Sequence, residues 1–121
     1  MLMVDLLTAH GYRVVCEATG RAAISRLKDE AVDLVILDLR LPEQNGFVAA
    51  ESIRRQPATA GIPIVVVSAY NDRQNRMSAY RAGVNVVLSK PVDPAELVLV
   101  VANLLILTKR INHIIGENNL L

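Results

Sequence analysis

The run Val35-Ile36-Leu37-Asp38 decides how this sequence folds. Its first three residues are apolar without alternating polar positions, which is typical of a strand buried on both faces of a parallel sheet. Asp38 ends the run, and the turn residues Pro42 and Gly46 follow it. Open α/β sheets bind ligands at the carboxyl ends of their strands, so this carboxylate is the first candidate functional group.

The elements on either side alternate between strand and helix patterns, which predicts βα units on a parallel sheet. The predicted strands cover residues 12–16, 33–38, 62–68 and 84–88. Three predicted helices cover residues 2–10, 47–56 and 72–82. A fourth begins after the capping residue Thr19, and the last begins at Pro94 and extends up to residue 115. A chain of 121 residues fits one domain, with a core over residues 1–108 and a C-terminal helical extension over 109–121.

Composition excludes several classes of function. Lys and Arg total 13 against 12 Asp and Glu, which gives no electrostatic case for nucleic acid or an anionic membrane. The one cysteine, Cys16, excludes an internal disulfide. Residues 97–107 are apolar apart from Asn103, but a bilayer span needs roughly twenty residues. We find no export signal, so we expect a cytoplasmic protein without a membrane anchor.

Two further motifs end apolar runs in the same way as Asp38. Ser68-Ala69 follows the run that begins at Ile62, and Lys90-Pro91 follows the run from Val84 to Leu88. With Asp38-x-x-x-Pro42-x-x-x-Gly46, these motifs resemble the receiver domain of bacterial two-component response regulators, over residues 2 to about 108. The resemblance implies an α/β, flavodoxin-like, doubly wound parallel sheet. Each motif alone is weak, but three in order at strand ends are specific.

The resemblance also implies a function and a set of partners. Receiver domains accept a phosphoryl group from the phosphohistidine of a histidine kinase or a phosphotransfer protein, and they relay the signal through an α4-β5-α5 face. By resemblance Asp38 is the phosphoacceptor, while the Ser68 hydroxyl and the Lys90 ammonium stabilise the phosphoryl oxygens. Such a domain is not an enzyme that turns over a substrate.

Further residues take structural or metal-binding roles by the same resemblance. Pro91 resembles the family's cis proline, Gly46 relieves a tight turn, and Pro42 stiffens the loop before it. Asp38 and the backbone carbonyl of Arg40 contribute to a Mg²⁺ site. The family's acidic pair, counted back from Asp38, falls ahead of Met1. We therefore expect an incomplete metal site that binds Mg²⁺ weakly or not at all.

The strand that carries this acidic pair in the family is the first one, and we predict that it is missing. In the family's strand order 2-1-3-4-5, it lies between the strands predicted at residues 12–16 and 33–38. Either these two strands pair directly, or residues 97–107 fill the gap. The capping signals Asp93-Pro94 favour a helix for the latter segment. We expect that helix to pack against a second copy, making a homodimer.

Other functions remain open. The same fold can act as a pseudo-receiver, an interaction module that needs no phosphorylation, and Val87 stands where many receivers carry an aromatic switch residue. An aspartate-nucleophile phosphatase of the haloacid dehalogenase type needs a second carboxylate two residues after the nucleophile, where this sequence has Arg40. Flavin binding is disfavoured because the chain has only four aromatic residues.

Overall fold

A computed structural model describes residues 2–17, 20–39 and 44–113 of the chain. In this part of the chain, helices and strands alternate after an initial pair of helices. The helices are α1 (Leu2–Ala9), α2 (Gly20–Asp29), α3 (Gln44–Arg55), α4 (Arg73–Arg81) and α5 (Pro94–His113). The strands are β1 (Val35–Leu39), β2 (Ile64–Ser68) and β3 (Val86–Ser89).

The three strands form one parallel sheet in the order β1-β2-β3. β1 pairs with β2 from Val35 opposite Ile64 to Leu39 opposite Ser68, and β2 pairs with β3 up to Ser68 opposite Ser89. All five residues of β2 are buried, as its unbroken apolar run predicts for a central strand. Because the strands are parallel and in this register, their carboxyl ends meet at one edge of the sheet.

Helices cover both faces of the sheet, which confirms the predicted doubly wound α/β class. On one face α1 and α5 pack on the sheet through a core that includes Leu7, Leu97 and Val101. On the other face α2, α3 and α4 contribute to a second core. None of the helices in the described residues is long and apolar enough to cross a bilayer.

Local signals at the helix ends agree with the sequence. Gly11 and Gly83 follow α1 and α4 with φ angles of 89° and 100°, the left-handed conformation that ends helices. At the start of α5, Asp93 Oδ1 accepts hydrogen bonds from the backbone N–H of Ala95 at 2.9 Å and of Glu96 at 3.3 Å. Asp93 is therefore the predicted N-cap.

The strand predicted over residues 12–16 is wrong. Residues 12–17 belong to no helix or strand, and the described sheet contains only β1, β2 and β3. Both proposals for closing the gap are wrong as well, because residues 12–16 do not pair with β1 and residues 97–107 lie within helix α5. Residues 97–107 form a helix, as the Asp93-Pro94 capping signals favoured, and a strand preference in residues 12–16 alone does not produce a strand without a paired neighbour.

Side-chain contacts, rather than hydrogen bonds between strands, hold residues 12–17 in place. Tyr12 and Val14 pack against the same core as α1 and α5. Glu17, at the end of this segment, accepts a hydrogen bond at Oε1 from the Arg26 guanidinium of α2. The same guanidinium donates to Glu30 Oε1 at 3.1 Å. The bond to Glu17 raises the pKa of Arg26 above its usual value.

Arg54 of α3 ties together two loops at the amino-terminal edge of the sheet. Its guanidinium donates to the carbonyls of Gly83 at 2.9 Å and Ala60 at 3.0 Å, to the Ile62 carbonyl, and to Asn85 Oδ1 at 2.8 Å. Burial lowers the pKa of Arg54. A Cβ at position 83 would lie 2.6 Å from Arg54 Cγ, so Gly83 also leaves room for this side chain.

We expect Arg54→Met to lower the free energy of unfolding by about 2–3 kcal/mol, because the partly buried carbonyls of Gly83 and Ile62 and two exposed acceptors lose their donor at once. The measurement is urea unfolding followed by circular dichroism. Arg55→Met is the matched control, since Arg55 is exposed and its guanidinium donates to Glu51 one turn away on α3. An equal loss in both variants would contradict the role given to Arg54.

Candidate functional site

The candidate site lies at the edge where the carboxyl ends of the three strands meet. Asp38 is the fourth residue of β1, Ser68 is the last residue of β2, and Lys90 directly follows β3. In the register, Leu39 lies opposite Ser68, and Ser68 lies opposite Ser89. The strand register therefore brings the three predicted residues to neighbouring strand ends, although they are far apart in the sequence.

Asp38 and Lys90 are in direct contact. Lys90 Nζ lies 2.5 Å from Asp38 Oδ1, and it also donates to the backbone carbonyl of Leu39 at 3.2 Å. About a third of each charged side chain is exposed to solvent, 34% for Asp38 and 31% for Lys90. The carboxylate is thus charge-paired and still accessible from outside, which suits a group that reacts with a large partner.

Ser68 joins this pair through its backbone rather than through its hydroxyl. The Lys90 backbone N–H donates to the Ser68 carbonyl at 3.0 Å, which fixes the start of the Lys90 loop against β2. Ser68 is 3% exposed, and its Oγ accepts the Tyr70 backbone N–H at 3.0 Å. Since Oγ acts as an acceptor in that bond, its own proton is left to donate to another group.

The structure agrees with the prediction for Pro91, differs from it for Gly46, and does not describe Arg40 and Pro42. The Lys90-Pro91 peptide bond is cis, as the resemblance implied. Arg40 and Pro42 lie outside the described residues, so their roles stay predictions. Gly46 was expected to relieve a tight turn, but α3 begins at Gln44 and places Gly46 in the first turn of that helix.

The sequence did not predict three residues that contribute to the site, which are Leu39, Asn71 and Ser89. The Leu39 carbonyl accepts a bond from Lys90, and no sequence pattern marks a backbone acceptor. The Asn71 side chain donates to Ser89 Oγ across the loops that follow β2 and β3. The only signal for this second contact was the polar character of both residues just beyond two apolar runs.

The described residues do not by themselves fit a divalent cation. No group of three or more His, Cys, Asp or Glu side chains in the described part of the chain could hold a metal ion. At the strand edge, Asp38 supplies one carboxylate, and an oxygen of that carboxylate is already paired with Lys90. Mg²⁺ prefers octahedral oxygen ligands, for which one carboxylate shared with an ammonium is a weak set.

Comparison with known protein families gives one match across most of the chain. The model of the response regulator receiver domain matches residues 1–102. Among individual proteins, the chain is similar to the response regulator SaeR of Staphylococcus aureus, with 33% identity over 103 residues. These residues are 85% of this chain and 44% of SaeR, so the chain spans less than half the length of that regulator.

Solved structures agree on the fold. The receiver domain of a sensor histidine kinase from Pseudomonas aeruginosa PAO1 is 30% identical, with a TM-score of 0.76 and coverage of 86% of this chain and 85% of that one. That structure has a magnesium ion coordinated in its active site cleft. A CheY-like receiver domain from Methanospirillum hungatei JF-1 is 23% identical with a TM-score of 0.80, covering 90% of this chain and 86% of that one. The predicted flavodoxin-like receiver fold is therefore confirmed, with three parallel strands in the described residues.

Ser68→Ala is expected to lower the free energy of unfolding by about 1 kcal/mol, because the Tyr70 N–H loses its acceptor, the Oγ of the buried Ser68. Urea unfolding measures the change. Ser25→Ala, at an exposed position on α2, is the control and should stay within about 0.5 kcal/mol of the wild type. Equal effects of the two substitutions would show that the Ser68 hydroxyl makes no stabilising bond.

Proposed function

This chain belongs to the response regulator receiver domain family, and from that membership we propose that it accepts a phosphoryl group on Asp38 from a histidine kinase or a phosphotransfer protein. Receiver domains are typically signalling modules rather than enzymes, and they interact with histidine kinases. In this proposal the chain acts in the cytoplasm, where it receives the phosphoryl group and passes the signal on by protein contacts.

The observation that carries the proposal is the Asp38–Lys90 ion pair at the carboxyl edge of the sheet. A carboxylate nucleophile must be ionised and reachable, and Asp38 has an adjacent cation and solvent access. Phosphoryl transfer also needs positive charge and hydrogen-bond donors near the equatorial oxygens. Lys90 and the buried Ser68 hydroxyl, each at the end of a neighbouring strand, are suitable donors.

The proposed step forms a P–O bond between an Asp38 carboxylate oxygen and the phosphorus of the kinase phosphohistidine. The P–N bond breaks, its electron pair stays on the imidazole nitrogen, and that nitrogen then takes up a proton from solvent. The product is an acyl phosphate on Asp38. Because the new P–O bond removes the charge of the carboxylate while the phosphoryl oxygens stay negative, the Lys90 ammonium exchanges its contact with the carboxylate for one with a phosphoryl oxygen.

The output face in this proposal includes α5, through which two copies of the chain associate. Leu99, Ile106 and Leu107 are 62%, 52% and 53% exposed, and with Asn103 they form one stripe at helical spacing. Residues 97–107 contain no charged side chain, so a two-fold contact along this stripe brings no like charges together. A second copy is therefore a suitable occupant, and Asn103 lies where its amide can pair with its own counterpart.

A second candidate function is association without phosphorylation. The exposed apolar stripe on α5 favours it, because that stripe needs no chemistry at Asp38 to bind a partner. The incomplete metal-ligand set in the described residues favours it as well. The two candidates differ in one observable, which is whether Asp38 becomes modified.

Incubation of the chain with phosphoramidate is expected to add one phosphoryl mass, because this small donor carries the same P–N bond as phosphohistidine. Asp38→Asn should abolish the adduct, since an amide is not a nucleophile for this step. Intact-protein mass spectrometry, with and without Mg²⁺, is the measurement.

Asp33→Asn is the matched control for that experiment. Asp33 is an exposed carboxylate just before β1, at the opposite end of the strand from Asp38, and its variant should be labelled like the wild type. Absence of any adduct at saturating donor would leave association as the function. An adduct that survives in Asp38→Asn would place the modification elsewhere.

Leu99→Glu is expected to raise the dissociation constant of the homodimer on the order of a hundredfold, because each copy loses a leucine that the proposed interface covers and gains a charge like that of its counterpart. Sedimentation velocity across a concentration series measures it. Val48→Glu, at a residue on α3 that is 54% exposed, is the control and should leave the dimer intact. A monomeric wild type at high micromolar concentration would refute the α5 interface.

A further inference from the structure

A set of polar contacts joins α4 to the loop that carries Lys90. The Arg76 guanidinium, on the first turn of α4, donates to the backbone carbonyl of Asn71. The side-chain amide of Asn71 donates to Ser89 Oγ. Ser89 ends β3 and is the residue immediately before Lys90. The three contacting residues come from α4, from the loop after β2, and from β3, so they bridge elements that are separate in the sequence.

The position of Lys90 depends on the backbone at this point. Its side chain reaches Asp38 at 2.5 Å and the Leu39 carbonyl at 3.2 Å, while its backbone N–H bonds to the Ser68 carbonyl at 3.0 Å. A lysine stem has four flexible carbons and does not fix the ammonium without help from its surroundings. The Lys90 backbone is held by the Ser68 carbonyl of β2, and the Ser89 side chain before it is held by the Asn71 amide.

We propose that Asn71 is a positioning residue, and that its bond to Ser89 couples α4 to the charge state of Asp38. The proposal rests on the function proposed above, because the coupling matters for signalling only if Asp38 is modified. A phosphoryl group extends outward from the carboxylate, so the Lys90 ammonium must move to follow the new oxygen. Part of that displacement passes to Ser89, then through Asn71 to Arg76, and so reaches the first turn of α4.

Spatial contact alone does not demonstrate coupling, which requires that a change at one site alter the response at the other. The backbone amide of Arg76 is a suitable reporter, because it donates to the Asp72 carbonyl at 3.0 Å as the first hydrogen bond of α4. Its hydrogen exchange rate reports how often that first turn opens. The rate is measured by NMR on the full chain, for each variant with and without the change at Asp38.

The experiment compares two perturbations of Asp38 in three backgrounds. One perturbation is phosphoramidate treatment, and the other is Asp38→Asn, which removes the charge that pairs with Lys90 even if no phosphoryl group can be added. The backgrounds are the wild type, Asn71→Ala and Asn75→Ala. Asn75 is the matched control because its amide, also near the start of α4, bonds to Asp72 Oδ1 instead of to Ser89.

We expect both perturbations to change the exchange rate of the Arg76 amide severalfold in the wild type and in Asn75→Ala. In Asn71→Ala the change should fall below half of that size when the samples are compared at equal extents of modification, read from the mass spectrum. Ser89→Thr, which keeps the hydroxyl, should preserve the response, and Ser89→Ala should lose it. Urea midpoints of all variants establish that they remain folded under the conditions used.

The outcomes separate this proposal from the proposed function. A missing phosphoryl adduct refutes phosphorylation of Asp38, but the Asp38→Asn arm still tests the coupling. A full response in Asn71→Ala overturns the positioning role, as does an unchanged Arg76 amide in the wild type under both perturbations. A loss of response in Asn75→Ala equal to that in Asn71→Ala also overturns it, because the effect then belongs to the helix turn rather than to the bridge.

Discussion

The contact between the Lys90 ammonium and the Asp38 carboxylate is the interaction on which the functional account depends. It exists because three parallel strands end at the same edge of the sheet in a fixed register. A shift of one residue in either strand pairing would turn one partner toward the opposite face. The fully buried β2 prevents such a shift, because its apolar side chains fill the cores on both faces. The packing of the central strand in both cores therefore supports the geometry of the charged site.

Most of the fold was predictable because strong local signals agreed with tertiary packing. The apolar runs that end at Asp38 and Ser68 became strands, and Gly11 and Gly83 ended helices as expected. The prediction over residues 12–16 was wrong because strand formation is not a local property. That segment contains Tyr12, Val14 and Val15, which favour strands, but no neighbouring backbone pairs with it in the described residues. An intrinsic preference is overridden when the pairing partner is missing.

The site was predictable in outline and not in detail. Residue types at strand ends identified Asp38, Ser68 and Lys90, because parallel topology forces such ends together. Their mutual contacts could not be read from the sequence. Lys90 bonds to the Leu39 carbonyl and reaches Ser68 through the main chain, and such backbone bonds leave no residue signature. Roles that depend on Arg40 fall outside the described residues and stay predictions.

A double-mutant cycle on Asp38 and Lys90 tests the central claim most directly. The free energies of unfolding of the wild type, Asp38→Asn, Lys90→Met and the double variant are measured by urea titration at low salt. A partly exposed ion pair should give a coupling energy of about 0.5–1 kcal/mol that decreases at high salt. Additive effects within about 0.3 kcal/mol, at every salt concentration, would contradict the contact and with it the geometry of the site.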